Sequence, residues 1–193
     1  MPRTGLSAAE LRTKAIDVAL EHIRAHGFEK VRLTDVAREL GVSHVALYAH
    51  FANKEALLDA VLERWLEETS VALEKVCASN RKPAQKLEQW FVNQYAMKRD
   101  RALHDRATYS AFETATAAKK PFVKAYLARR SAQLVGLLDE AGFGSPQRHA
   151  EVLLDGMAGF FHPRLILESA EQNREPELKR VLQTLLRGLE RGA

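Results

Sequence analysis

Apolar residues recur at three- and four-residue spacing along nearly the whole chain, which is the period of a helix packed on one face. Leu11, Ala15, Ile16, Ala19, Leu20 and Ile23 form the first such stripe. Ser7 can cap it, Glu10 completes a Ser-x-x-Glu capping box, and Gly27 stands where the helix must stop. Thr34 is read as the cap of a short second helix ended by Gly41, and Ser43 as the cap of a third running to Phe51. A long helix is expected from about Lys54 into the seventies, carrying Leu57, Leu58, Val61, Leu62 and Trp65. After a polar linker at 78–85 that contains Pro83, further helices are expected over about 84–99, 102–118, 121–141, 146–170 and 176–190. Pro163 falls inside 146–170 and predicts a kink there. No sustained two-residue alternation signals a strand. The expected fold is all-α: a three-helix N-terminal unit over 1–54, a connecting helix to about 77, and a larger helical bundle over 78–193.

Composition adds bounds. A chain of 193 residues, 46% hydrophobic and 28% charged, can build its core without covalent staples. A single cysteine, Cys77, excludes an internal disulfide and points to a reducing cytoplasm. No apolar run reaches the roughly 18 residues of a membrane span, and the N-terminus lacks the apolar stretch of a signal peptide. A cytoplasmic protein with no membrane partner is expected. The net charge of +4 is unevenly spread. Residues 1–60 are balanced at 8 basic and 8 acidic, whereas residues 79–130 hold 12 basic and 4 acidic side chains. Such a mid-chain excess reads first as solvated helix faces, and it would also favour an acidic partner or ligand.

The first sixty residues carry the most specific chemistry. Two short helices about Gly41-Val42-Ser43 have the layout of a helix-turn-helix. Ala37 is small where they must approach, and Val36, Leu40, Val42 and Leu47 share a core with Ile16, Ala19 and Ile23. The stretch from Gly41 to Lys54 contains no acid. A helix bound for the major groove meets one phosphate charge per roughly 1.7 Å of duplex, which penalises carboxylates. Its first turn should be short-chained so that base edges come within reach. Ser43, His44, Val45 and Ala46 fit that requirement, while Tyr48, His50 and Lys54, with amides beside Thr34 and Ser43, can donate to phosphates. Phe51 reads as a core plug.

The residues "TDVARELGVSHVALYAHFANKEALLDAV", with "AIDVALEHIRAHGF" before them, closely resemble the DNA-binding domain of the tetracycline-repressor (TetR/AcrR) family. Gly27-Phe28, Thr34, Gly41-Val42-Ser43, Leu47-Tyr48, His50-Phe51 and Asn53-Lys54-Glu55 carry the resemblance together. It implies a homodimeric transcription regulator, usually a repressor, with an all-α C-terminal domain for ligand binding and dimerisation. On the matching positions, Thr34, Tyr48, His50 and Lys54 would contact phosphates of an operator, and Ser43 through Ala46 would address bases. Val45 departs from the small residue common in the family.

Beyond the linker, Val152, Leu153, Met157 and Leu165, and then Leu178, Val181, Leu182, Leu185 and Leu189, line helices apolar on more than one stripe. One inward face and one partner face would make a four-helix dimer contact, although both helices could also complete a monomeric core. Pocket candidates for a small-molecule effector are Trp90, Tyr95, Met97, His104, Tyr109, Phe112, Phe122, Tyr126, Phe160 and His162. The basic excess over 79–130 favours an anionic effector. Such an effector would tilt the long helix and spoil the spacing of the two reading heads.

No catalytic residue, cofactor or metal site is expected: there is no GxSxG, Gly-rich phosphate loop or Cys–His signature. His22 and His26 have metal-ligand spacing but no evident third ligand. Rival readings are an activator, a regulator without an effector, and a helical-bundle enzyme with a DNA-binding head. A neutral head argues against a DNA-packaging protein.

Overall fold

The computed structural model describes residues 5–190, so the outermost parts of both expected domains, 1–4 and 191–193, lie outside it. Every regular element among the described residues is helical. The head consists of α1 (Ala8–His26), α2 (Leu33–Glu39) and α3 (His44–Tyr48), with a 3-10 turn at Phe28–Lys30. The connecting helix is α4 (Lys54–Cys77). The body comprises α5 (Pro83–His104), α6 (Arg106–Ala117), α7 (Pro121–Glu140), α8 (Pro146–Gly156), α9 (Pro163–Ser169) and α10 (Glu175–Glu190).

Local chemistry sets the ends of the head's helices. Ser7 Oγ accepts the Glu10 N–H at 3.2 Å and the Glu10 carboxylate accepts the Ser7 N–H at 2.8 Å, closing the capping box. Gly27 ends α1 at φ 85°, a conformation open to glycine at little cost. Gly41, at φ 65°, reverses the chain between α2 and α3, and the Val42 N–H donates to the Ala37 carbonyl at 3.0 Å. Ser43 Oγ caps α3 by accepting the Ala46 N–H at 3.2 Å. Asn53 caps α4 through the Ala56 N–H at 2.8 Å.

Two hydrophobic cores result, and α4 serves both. Leu57, Leu58, Ala60 and Val61 join Ile16, Ala19, Ile23, Val36, Leu47 and Phe51 in the head. From Leu62 onward, Trp65, Leu66, Leu73 and Val76 belong to the body. Head and body also meet at α6, which packs on α1 and the 3-10 turn. There Arg24 Nη2 and Nε donate to Asp105 Oδ2 at 2.8 and 3.1 Å.

Three expectations are corrected. Helix α2 begins at Leu33 after Arg32, without a side-chain cap, so Thr34 lies inside the first turn. The buried Leu33, 4% exposed, fixes that start by anchoring the strand-like entry to the head core. The third helix is shorter than expected and ends at Tyr48. The stretch 146–170 is two helices, not one kinked helix. Pro163 excludes α geometry from the residue before it, His162 is extended at φ −64° and ψ 126°, and Pro163 opens α9. The break turns two successive aromatics, Phe160 and Phe161, into the core and leaves His162 exposed.

Leu47 is fully buried between the helices of the head. Leu47→Ala is expected to cost about 3 kcal/mol, as for a buried leucine emptied to alanine. A lowered urea midpoint by circular dichroism checks it.

Candidate functional site

The outward side of α3 carries side chains that the head core does not use. Ser43 and His44 are exposed, Val45 is 66% exposed and Tyr48 is 48% exposed, while Leu47 and Phe51 point inward. The His44 and Tyr48 rings meet edge to face at 6.4 Å, one turn apart. Ala46 and His50 are half-buried and Thr34 is exposed. Nearby acids on α2 are engaged: Asp35 pairs with Arg38 at 2.9 Å and Glu39 lies 2.8 Å from His22 Nε2. His22 is therefore occupied by Glu39 and by an edge-to-face contact with His26 at 6.0 Å. No cluster of three metal-ligating side chains occurs among the described residues. Lys54 is tied more closely than expected, its ammonium donating to the Glu29 carbonyl at 2.6 Å. This bond locks the start of α4 to the 3-10 turn and leaves two of the three ammonium protons for another acceptor. Sequence reasoning missed Arg12, whose guanidinium lies 5.4 Å over the Phe51 ring.

The proposed pocket residues divide into three groups. Trp90, Tyr95, Tyr109, Phe112, Tyr126 and Phe160 are buried, and Met97 and Phe122 are half-buried. His104 and His162 are exposed, one ending α5 at the surface and the other in the break before α9. His104 lines a polar cleft of about 300 Å³ with Arg24, Glu68, Arg101 and Asp105 rather than the aromatic interior. Of the buried set, Trp90 Nε1 donates to Gln133 at 3.1 Å, and Tyr95 Oη donates to the Gln172 carbonyl and accepts the Arg174 N–H. Tyr109 and Tyr126 keep buried hydroxyls without a partner among the described residues, and burial pushes both phenols up.

Around them lies a group of polar side chains that the sequence reading did not single out. Gln94 is fully buried with both amide ends unpartnered, as are Thr108 Oγ1 and Arg130 Nε. Lys98 is 7% exposed and donates only to the Phe161 carbonyl, at 3.2 Å. Burial, reinforced by Arg130 and Arg101, lowers it to about 7. Arg101 is provided for by Glu68, Thr69 and the Trp65 carbonyl, and Lys86 by Glu140 at 2.8 Å. Lys98 and Arg130 have no carboxylate partner among the described residues. The available signal was the Lys86, Trp90, Gln94, Lys98 series on α5, a four-residue repeat that places polar groups on the same face as a core tryptophan.

The expected dimer face also divides. Leu153, Met157, Leu178 and Leu182 are buried in the chain's own core, because the inner stripes of α8 and α10 pack on α7 and α5. That removes those four from any partner surface. Val152, 39% exposed, and Leu165, 41% exposed, remain outside, with Val181, Leu185 and Leu189 half-buried. Gly156 allows α8 and α10 to approach: a Cβ there would lie 2.9 Å from Leu185 Cδ1. No described helix is long and apolar enough to cross a membrane.

Comparison with known proteins agrees with this architecture. Residues 15–61 match the profile of bacterial regulatory proteins, tetR family, and residues 83–182 match that of the tetracyclin repressor-like C-terminal domain. The HTH-type transcriptional repressor ComR of Escherichia coli K12 is 39% identical over 56 residues. That match spans 29% of this chain and 27% of ComR. A TetR/AcrR-family regulator from Thermobifida fusca superimposes with a TM-score of 0.66 at 18% identity, covering 92% of this chain and 97% of its own. Thermus thermophilus FadR, a transcriptional repressor solved with lauroyl-CoA, gives 0.58 at 19% identity over 92% of each chain. Because both halves match, head by head and body by body, this chain belongs to the tetR family of bacterial regulatory proteins.

Proposed function

We propose that the protein is a sequence-specific transcriptional repressor that binds a palindromic DNA operator as a homodimer and is released by a small-molecule effector. The observation that carries this reading is the outer side of α3: acid-free, capped by Ser43, and exposing His44, Val45 and Tyr48 from a helix whose inner side is held by Leu47. In this reading Ser43 through Ala46 address base edges, with the Val45 side chain suited to a thymine methyl group. Thr34, Tyr48, His50 and Lys54 hold phosphates and set the register. The names of relatives such as ComR favour repression over activation.

The dimer would form through α8, α9 and α10, using Val152, Leu165 and the outer edges of Val181, Leu185 and Leu189. Two heads would then face two half-sites about one DNA turn apart. FadR's complex with lauroyl-CoA supports an effector for this chain as well. Ligand held among α5, α6 and α7 would act on the head by two routes, through α4 and through the Arg24–Asp105 contact at the start of α6.

Selection of double-stranded DNA from a random library by the purified protein, with sequencing, tests the reading. A palindromic consensus is expected, lost with Tyr48→Ala, and His44→Ala is expected to change the preferred bases rather than abolish binding. A folded, dimeric protein that enriches no sequence would refute operator recognition. Lys54→Ala should weaken all sequences alike and flatten the salt dependence of log K by about one unit. Fluorescence anisotropy across a salt series reads this, and an unchanged slope would remove Lys54 from the phosphate contacts.

A further inference from the structure

We infer that Gln94, Lys98, Tyr109, Tyr126 and Arg130, brought together between α5, α6 and α7, bind the carboxylate of a small organic acid with an apolar body. The inference rests on the effector-responsive reading above and names the chemical class of that effector.

Three observations carry it. First, Phe161 ties two cations into one place: its carbonyl accepts the Lys98 ammonium at 3.2 Å, and its ring lies 5.3 Å from the Arg130 guanidinium carbon. Neither cation has a carboxylate partner among the described residues, although the same interior pairs Lys86 and Arg101 with acids. Lys98 is buried and Arg130 half-buried with its Nε enclosed. A buried charge left unpaired costs several kcal/mol, so the place around Lys98 is short of negative charge. Second, the surrounding polar groups are largely donors with nothing to donate to: the Gln94 amide, the Tyr109, Tyr126 and Thr108 hydroxyls and Arg130 Nε. Gln94 is 0% exposed. Third, the walls are apolar and aromatic. Phe112 lies 5.2 Å from the Lys98 ammonium, Trp90 lies 5.8 Å from Arg130, and Phe91 packs on Phe161.

A carboxylate answers all three conditions. It is acceptor-only, it can take several donors at once, and its single charge offsets the local excess. Water would satisfy the donors but not the charge. Tyr126 also lines a cleft of about 480 Å³ between α1, α4 and α7. Of the five residues only Tyr126 lines that cleft, so an apolar body lying there would sit between head and body and its acid end would reach the cluster past Tyr126.

Protonation is linked to binding. Lys98 titrates at about 7 in the unliganded protein, and a bound anion favours the ammonium, so binding takes up a proton. Affinity should then be flat below the free-state value and fall by about tenfold per pH unit above it. Arg101 and Arg130 are the charged groups acting on Lys98. Tyr126 and Tyr109 face the cluster from α7 and α6, with Glu68 and Asp105 acting on Arg101 and Glu113 on Tyr109. His162 lies exposed beside Phe161, and substitution of Lys98 leaves it in place.

The test is calorimetric titration of the full chain, without DNA, using octanoate and benzoate at about pH 6.5 and about pH 8.5. Octanamide and benzamide serve as neutral counterparts, and sulfate and inorganic phosphate as anions lacking a body. At least one acid is expected to bind at least tenfold tighter than its amide. Proton uptake should appear as a dependence of the heat on the buffer. Lys98→Met should lose at least tenfold in affinity together with the pH dependence, and Arg130→Met should lose affinity but keep the pH dependence. Lys98→Met removes an unpaired buried charge and is expected to fold at least as stably as the parent. No binding by either acid, equal binding of acids and amides, binding of sulfate or phosphate alone, or binding untouched by both substitutions would overturn the assignment. Since no DNA is present, a failure here leaves operator recognition standing, and failure of operator recognition leaves the acid site standing.

Discussion

What chiefly relates the head to the body is α4, one uninterrupted helix shared by two cores, with α6 packing on α1 and the 3-10 turn as a second, smaller contact. The division falls within a single turn: Val61 closes the head and Leu62 opens the body. A helix cannot yield there without giving up consecutive backbone hydrogen bonds, so a tilt of α4 against α5 and α7 is a tilt of the head. The surface ties between the two parts are of another order. Arg24 reaches the buried Asp105 with two bonds, whereas Arg64 to Asp17, and Lys120 to Glu55 and Asp59, involve solvent-facing groups. Exposed pairs of that kind contribute about 0–1 kcal/mol each, against several for each buried leucine of α4. They can bias the angle of the head, whereas the cores determine that the head follows the helix.

The interior of the body departs from the rule that cores are apolar. Net stabilities of domains are about 5–15 kcal/mol, so burying the Lys98 amine without an acid, beside the half-buried Arg130, takes up an appreciable part of what packing provides. The same helix that carries Lys98 also carries Lys86, and Glu140 reaches Lys86 from α7. Acidic partners are therefore available to this architecture, and their absence around Lys98 and Arg130 is particular to that place. A group of donors sealed beside two cations is pre-organised for an acceptor, because the cost of gathering like charges has been met on folding.

The head was more legible in the sequence than the body, and the reason is physical. Capping boxes, positive-φ glycines and a three-four stripe are local, so Ser7, Gly27, Gly41 and Ser43 marked the head's helices from their neighbours alone. The start of α2 escaped this logic because Leu33 is held by burial and not by a cap. In the body, the elements were legible but their partners were not. The break at 157–162 depended on weighing Pro163's effect on the residue before it above a continuous apolar run. Leu153, Met157, Leu178 and Leu182 look the same in sequence whether they face their own core or another subunit. The excess of Lys and Arg over 79–130 was visible as a count, but the count does not say that Lys86 and Lys98 are the two lysines that are buried, nor that only Lys98 is left without an acid. That is settled by where α6, α7 and the Phe161 carbonyl lie, a non-local matter.

The neutral head and the cationic interior suit one another if the protein works as proposed. A strongly basic head would hold DNA through phosphates at almost any separation of two heads, since that attraction is sequence-independent. A head with 8 basic and 8 acidic residues over 1–60 has little of this term, so it depends on both half-sites being engaged at once. Bivalent binding is lost when geometry forbids the second contact. A small change in the angle of α4 is then sufficient to release DNA, and the ligand has no need to touch the reading face. Most of the basic excess over 79–130 lies on the body's surface, and of the two buried lysines, Lys86 and Lys98, only Lys98 lacks an acid. In the proposed mechanism a single acid group supplied there would change how α5, α6 and α7 pack against the helix that carries the head.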